Sequence, residues 1–307
     1  MSAPRLGFIG FGEAAFYISA GLAHEGFSPM YAFDIVAEDP DKGKQIRERA
    51  KTAGVHLFPS LQELTETCDV LLCATSAKLA IGIAKEVAPL IRREHIYVDL
   101  NAASPKVKTE VCAIIGEAGG LPVDGAVMDA VPPHGHKVPM FVSGPGAADF
   151  KTRMQPYGMN ITAINEQAGS ASSIKMVRSI FMKGFTSLLV ETLTAAHRSG
   201  IEREIVASIS KTFGSQPMEA LMNLLLTRTA IHAERRVAEM TDVIETLRDN
   251  NLEHAMSRAA RDTLQHLVDL GVKEYFDSTR PDHYLQVIEA ISMLKTKTGG
   301  RADDAQA

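Results

Sequence analysis

Short apolar runs alternate with helical periodicity through the first half of the 307-residue chain, and this alternation is its strongest local signal. Leu6–Ile9 reads as a strand that ends in glycine, and residues 13–26 carry helical spacing. A second strand over 30–35 closes on Asp34, and a charged helix follows over 41–53. A short strand over 55–58 precedes Ser60-Leu-Gln-Glu63, a capping box. Then come a buried-type strand over 70–74, a helix over 79–91 and a strand over 95–100. This βαβα rhythm predicts a parallel sheet with helices on both faces. Residues 123–127 form a further strand leading into a Pro- and Gly-rich loop over 131–139, and a strand over 140–143 follows. From about Ser170 onward almost every segment has helical period, with breaks near Gly200, 214–217, Asn250-Asn251 and 271–281. The predicted fold class is an α/β Rossmann amino-terminal domain (1–168) plus an all-α carboxy-terminal domain (169–307), joined by a long helix over 169–198. The small, polar tail 299–307 is expected to fray.

Composition narrows the class. A chain of this length holds about two domains at ~150 residues each. With 45% hydrophobic and 22% charged residues it can bury a core in each. The formal charge of -5 gives no basic stripe for nucleic acid. Cys68, Cys73 and Cys112 form no CxxC pair, so neither a disulfide scaffold nor a zinc site is expected, and no metal is assigned. Glycines interrupt the apolar start too early for a secretory segment. The best candidate for a membrane span, 70–91, is broken by Lys78, Lys85 and Glu86. The expectation is a soluble cytoplasmic protein with a small-molecule substrate and no membrane or nucleic-acid partner.

The chemistry begins at Gly10-Phe11-Gly12-Glu13-Ala14-Ala15, a G-x-G-x-x-A turn between a strand and a helix. The first glycine permits the tight turn, the second lets the backbone approach a pyrophosphate, and the small third position lets helix and strand pack closely. The helix N-terminus then offers N–H groups and its positive dipole end to the phosphates, with Glu13 pointing outward. Asp34 stands where the adenosine ribose hydroxyls are read, and no arginine follows it to receive a 2′-phosphate. NAD is therefore favoured over NADP, against the plainer alternative of a structural turn in a flavodoxin-like domain. Thr75 and Ser76, at the carboxyl end of their strand, are placed against the cofactor.

Four stretches resemble the β-hydroxyacid dehydrogenase superfamily, which includes 6-phosphogluconate and 3-hydroxyisobutyrate dehydrogenases. They are the glycine turn with Asp34, Val98-Asp99-Leu100-Asn101-Ala102-Ala103-Ser104-Pro105, Val123-Asp124-Gly125-Ala126-Val127 and Gly169-Ser170-Ala171-Ser172-Ser173-Ile174-Lys175. The segment from His232 to Met240 is similar to a poorly characterised subgroup whose helical domain has no known function. The resemblance implies NAD(P)-dependent oxidation of a hydroxy acid by a protein that commonly dimerises, with Lys175 as the proton-transfer residue. It also marks departures. Ser179 stands where the family has asparagine, Ala171 where it has glycine, Asn101 where it has serine, and Met128-Asp129-Ala130 where it has Ser-Gly-Gly. The cofactor half and the lysine match; the substrate half does not, and an Asp129 facing the site would repel a carboxylate.

Wound as a helix, Ile174, Val177, Phe181, Phe185 and Leu188 share one arc, while Lys175, Ser179 and Lys183 share another that is expected to face the cleft. A lysine acts as base only when neutral, so its pKa must fall towards ~7–8. Ser179 is either a donor near Lys175 or a small packing residue. Arg178 either binds substrate or makes an ion pair. Lys183 is a substrate candidate or a solvated lysine. His232, Arg235, Arg236 and Glu239 form a second polar stripe, readable as a pocket wall with His232 and Arg236 on substrate or as an exposed face laced by Arg235–Glu239. His134 and His136 lie in the Pro-rich loop, which reads as a mobile cover before it reads as a metal site. The leading function is a dehydrogenase or reductase with Lys175 as acid/base, Asn101 and Ser179 orienting substrate or base, and Met128, Asp129 and Arg178 near the substrate. An imine reductase acting on a cationic substrate and a non-catalytic NAD-binding sensor are the alternatives, and a homodimer is expected.

Overall fold

The computed structural model describes residues 3–303. The chain divides between Phe181 and Met182 into two compact units. The amino-terminal unit is built on an eight-stranded sheet in the order β3-β2-β1-β4-β5-β6-β7-β8. Its strands are β1 (Leu6–Ile9), β2 (Met30–Phe33), β3 (Val55–Leu57), β4 (Val70–Cys73), β5 (Ile96–Asp99), β6 (Leu121–Val127), β7 (Met140–Ser143) and β8 (Ile161–Ala163). All neighbours are parallel except β6 and β7. The order reverses between β1 and β4, which makes their carboxyl ends a topological switch point, where open α/β sheets bind ligands.

Helices cover both faces. One buried apolar cluster joins β-sheet residues such as Phe8, Leu72 and Val98 to α1 (Glu13–His24), α2 (Lys44–Ala53) and α7 (Ala147–Met154). The other joins Ile9, Leu71, Cys73 and Tyr97 to α3 (Leu61–Thr67), α4 (Ala80–Val87) and α5 (Pro105–Glu117). The strands are apolar on both sides because both sides are buried. Ser60 caps α3 as its sequence predicts: its hydroxyl accepts from the Glu63 N–H at 3.2 Å. The loop over 131–139 is not a mobile cover. It forms α6 (Val131–His134) and a single 3₁₀ turn, Gly135–Lys137, which pack on α1.

The 30-residue α8 (Ser170–Ser199) begins in the amino-terminal unit. The sequence places the change of domain at 168/169, ahead of this helix. The compact-unit boundary falls later because Ala171 and Ser172, in the first turn, are buried and hydrogen-bonded to the sheet. The apolar arc read along α8 is not a buried face: Val177, Phe181 and Leu188 are exposed. The carboxy-terminal unit is helical, with α9 (Glu202–Gly214), α10 (Met218–Asp249), α11 (Ala255–Asp269), α12 (Val272–Tyr275) and α13 (Tyr284–Asp303). The helix α10 is kinked at His232, whose φ of -114° and ψ of 18° leave the helical region. α13 is helical through Asp303; of the tail expected to fray, 304–307 lies outside the described residues. Among the described residues no helix is long and apolar enough to cross a membrane.

Candidate active site at the carboxyl edge of the sheet

The strand register sets the site. Phe33 pairs with Ile9, Ile9 with Cys73, Cys73 with Asp99, Asp99 with Asp124, and Asp124 with Ser143. This row lies level with the carboxyl ends of β2, β1, β4 and β5. Gly10 and Asp34 immediately follow Ile9 and Phe33, while Thr75 and Asn101 follow Cys73 and Asp99 two residues on. Three strand spacings, about 14 Å, separate Ile9 from Asp124.

The glycine turn is a shaped cradle. Gly10 has φ +81°, and a Cβ there would lie 2.5 Å from Thr75 Cγ2 and 3.0 Å from the Ala74 carbonyl oxygen. Gly12, the N-cap of α1, has nothing within 4 Å of an added Cβ and makes no side-chain cap hydrogen bond. The helix therefore starts with donors facing open space. Phe11 is buried and packs edge-on against Phe8, Ala14 is half-buried, and Glu13 points out at the first turn. Asp34 is half-buried. One of its carboxylate oxygens accepts from the Phe11 N–H (2.8 Å) and the other from the Val36 N–H (3.0 Å). A carboxylate has about four acceptor positions, so two remain for ribose hydroxyls. Ile35, beside it, is exposed and apolar. These residues fit a bound dinucleotide.

Asn101 behaves differently from the sequence-based picture of a substrate or base contact. Its side chain is buried and spent within the protein. Oδ1 accepts from the Thr75 N–H (2.7 Å) and hydroxyl (3.2 Å), and Nδ2 donates to Asp99 Oδ1 (2.6 Å). It therefore braces the exposed Thr75–Ser76 turn. Next to it lies a group the sequence reading missed. Lys108, in the first turn of α5, is 1% exposed and sits between Asp99 (Oδ2, 3.2 Å) and Asp124 (Oδ1, 3.7 Å). It donates to the carbonyls of Asp99 (2.5 Å) and Gly125 (3.2 Å). Two aspartates within apolar strands, Asp99 at the end of β5 and Asp124 in the middle of β6, were the available signal, because buried carboxylates call for a cation. Burial raises the Cys73 thiol and the Tyr97 phenol beside them. It pushes Cys68 and Cys112 up to about 12, so neither offers a thiolate nucleophile.

Asp124 and Ser143 seat α8. Asp124 Oδ2 accepts from the Ser172 N–H (2.9 Å) and the Ser143 hydroxyl (3.3 Å), and Ser143 Oγ accepts from the Ala171 N–H (3.0 Å). A carboxylate at a helix N-terminus is favourable. Lys175, half-buried, follows three residues after Ser172, about 4.5 Å further along the helix axis. Ser179 is half-buried one turn on. Arg178 is exposed and donates to the Met128 carbonyl (3.3 Å) instead of pairing with a carboxylate. Asp129 is exposed, accepts from the Ala130 N–H (2.7 Å) and lies 3.5 Å from His134 Nε2. Lys183, His232 and Arg236 belong to the carboxy-terminal unit. Lys183 and His232 are exposed; Arg236 is half-buried and donates to Thr229 Oγ1. Arg235 and Glu239 form their ion pair at 2.6 Å. Among the described residues no three His, Cys, Asp or Glu are placed to hold a metal.

A doubly wound sheet with an open glycine turn and an acidic residue after its second strand defines a dinucleotide-binding oxidoreductase fold. Two family models match the chain: "NADP oxidoreductase coenzyme F420-dependent" over residues 5–103, and a domain of unknown function, DUF1932, over 196–267. A conserved hypothetical protein from Sinorhizobium meliloti 1021 is 33% identical, with 95% of this chain and 97% of that one covered and a TM-score of 0.61. The conserved protein MTH1747, of unknown function and described as structurally similar to 3-hydroxyacid dehydrogenases, is 32% identical over 86% of this chain and 97% of that one, with a TM-score of 0.58. An imine reductase from Myxococcus stipitatus solved with NADP+ shares the fold at a TM-score of 0.69, with 17% identity over 87% of this chain and 95% of its own; a variant is known with NAD+. The chain belongs to the β-hydroxyacid dehydrogenase-like superfamily, in the branch with a carboxy-terminal helical domain of unknown function.

Proposed function

We propose that the protein is an NAD-preferring oxidoreductase that interconverts a hydroxyl and a carbonyl on a small polar, hydroxy-acid-like substrate, with Lys175 as acid and base. One observation supports this above the rest: a single register row brings the glycine turn, Asp34, the Thr75–Asn101 brace and the seat of the Lys175 helix to one sheet edge. Gly10, Phe11, Gly12, Glu13 and Ala14 hold the pyrophosphate on the α1 N-terminus, Asp34 takes the ribose, and Thr75 and Ser76 flank the cofactor. The bound nicotinamide supplies or accepts the hydride. The chain's own task is the proton: Lys175 removes it from the hydroxyl in oxidation and returns it in reduction, and Ser179 orients the amine. Asp34 repels a 2′-phosphate and exposed Ile35 offers it no donor, which favours NAD.

A second reading has its own support. In the 128–133 segment the Met128 N–H is given to the Pro139 carbonyl, the Ala130 N–H to Asp129, and Pro132 and Pro133 have none. This segment offers few donors to a substrate carboxylate and exposes the Asp129 carboxylate instead. That favours a cationic substrate, with a C=N bond reduced and Lys175 delivering the proton to nitrogen. We further propose a homodimer, formed through the apolar faces that the carboxy-terminal helices leave exposed.

The test is a panel of hydroxy acids, keto acids and cyclic imines assayed with NADH, NAD, NADPH and NADP by nicotinamide absorbance. Turnover with NAD(H) preference is expected, and Lys175→Ala should reduce it about 10²- to 10⁴-fold with NADH binding intact. Turnover confined to imines selects the second reading. Intact NADH binding without turnover on any compound makes the chain a sensor.

A further inference from the structure

The buried ammonium of Lys108 lies between the side chains of two parts of the proposed site that are already joined through the backbone pairing of Asp99 with Asp124. On one side, Asp99 holds Asn101, and Asn101 holds the backbone and hydroxyl of Thr75 beside the glycine turn. On the other, Asp124 holds the Ser172 N–H and, through Ser143, the Ala171 N–H, which together fix the start of the Lys175 helix. Asp99 Oδ2 and Asp124 Oδ1 meet Lys108 off the line of a hydrogen bond, and neither has another donor among the described residues. All three side chains are essentially inaccessible to water. Two carboxylates at neighbouring strand positions would repel one another, and Lys108 places a positive charge between them. Its bonds to the Asp99 and Gly125 carbonyls further lock β5 to β6.

We propose that Lys108 is a positioning residue that couples the cofactor-side turn at Thr75 to the first turn of α8, so that the cofactor cradle and Lys175 keep one register. The proposal rests on the reading of Lys175 and the glycine turn given above. It makes Lys108 a tie, remote from substrate, and it predicts that loosening one end of the tie loosens the other.

The test uses the full chain and needs no substrate. Lys108→Met combined with Asp124→Asn leaves the buried net charge unchanged and keeps an acceptor oxygen for Ser172, so the fold has a route to survive; circular dichroism checks that it does. Hydrogen exchange followed by mass spectrometry reads residues 74–79 and 169–175. At least tenfold faster exchange is expected in both segments together, with NADH affinity changed less than about threefold. The pH midpoint for acetylation of Lys175 should move by about half a unit while that of Lys183 stays put. Asp124→Asn alone keeps Lys108 on the Asp99 and Gly125 carbonyls and should restore slow exchange in both segments. Faster exchange in only one segment, or an unmoved Lys175 midpoint, overturns the proposal. If the double variant does not fold, Asn101→Ala is read instead: it cuts the Thr75 end only, and unchanged exchange at 169–175 overturns the coupling. Lys175→Met separates the two ideas, since persistent turnover there defeats the acid/base role and leaves the exchange result standing.

Discussion

The two units of the chain bury their apolar residues very differently. In the amino-terminal unit both sheet faces are sealed, and Phe8, Phe11, Ile18, Leu72 and Phe150 are all fully inaccessible. In the carboxy-terminal unit the buried cluster is small, Ala230, Val272 and Val287, with partly covered neighbours around it. Met218, Met222 and Leu225 run down one side of α10 at spacings of four and three, yet all are exposed, as are Leu285 and Ile288 of α13. A large apolar side chain left in water forfeits about 1.5–3 kcal/mol of burial energy. The difference teaches that the sheet closes its own core on both faces, whereas the carboxy-terminal helices carry more apolar surface than the chain covers. That is the physical ground for the proposed dimer.

The sharpest way to break the comparison is Met222→Lys with Leu225→Lys. Two charges in an apolar interface should weaken self-association at least a thousandfold, about 4 kcal/mol, and halve the mass seen in sedimentation equilibrium at micromolar concentration. NADH affinity should stay within twofold. A wild-type chain already monomeric there would mean that the exposed stripe has no second copy to meet.

Next in size is a pair of glycines with similar backbone and opposite surroundings. Gly10 at φ +81° faces Thr75 and Ala74 at contact distances no Cβ tolerates, while Gly200 at φ +69° has open space. Gly10→Ala should displace the turn and cost about 3 kcal/mol in NADH binding, a hundredfold by titration calorimetry. Gly200→Ala should cost about 1 kcal/mol of stability in denaturant unfolding through its φ alone, with NADH binding untouched. Equal effects on NADH binding would remove the distinction between the two units.

Local chemistry made much of the amino-terminal unit readable from sequence. The glycine turn, the Ser60 cap and strands such as 6–9 and 140–143 depend on residues a few positions apart. What escaped depends on distant residues. α5, α7 and β8 lack a motif strong enough to announce them. Nothing in the local sequence marks Lys108, because its partners stand on two other elements. Asn101 reads from sequence as a residue that orients substrate or base, but its side chain is held by Thr75 and Asp99, which only the strand register brings beside it. The apolar arc of α8 is visible in sequence, but whether it is covered is not a local property. The proline-rich stretch 131–139 was read as mobile because prolines and glycines usually mark loops; it is docked because Gly21 leaves a notch that His136 fills.

That notch supplies the smallest effect and places it in the sheet unit. A Cβ on Gly21 would lie 2.3 Å from His136 Nδ1, so the imidazole is pressed onto the backbone of α1. It is buried, and neither ring nitrogen has a hydrogen-bond partner among the described residues. Burial lowers its pKa from the usual 6.5; Lys137 and His24 add to this and Glu25, 3.8 Å from Nε2, opposes it. Burial likewise lowers His95, aided by Arg92. A lowered folded pKa means that the unfolded chain takes up the proton first. The stability held by these neutral rings is therefore complete above pH 6.5 and is lost as pH falls from there through the folded value. Thermal unfolding should show a midpoint lower by a few degrees, below about 4 °C, at pH 5.5 than at pH 7.5. His136→Leu should flatten part of that slope, and His95→Leu most of the remainder. A slope unchanged in both variants would assign the acid sensitivity to the helical unit and reverse the contrast.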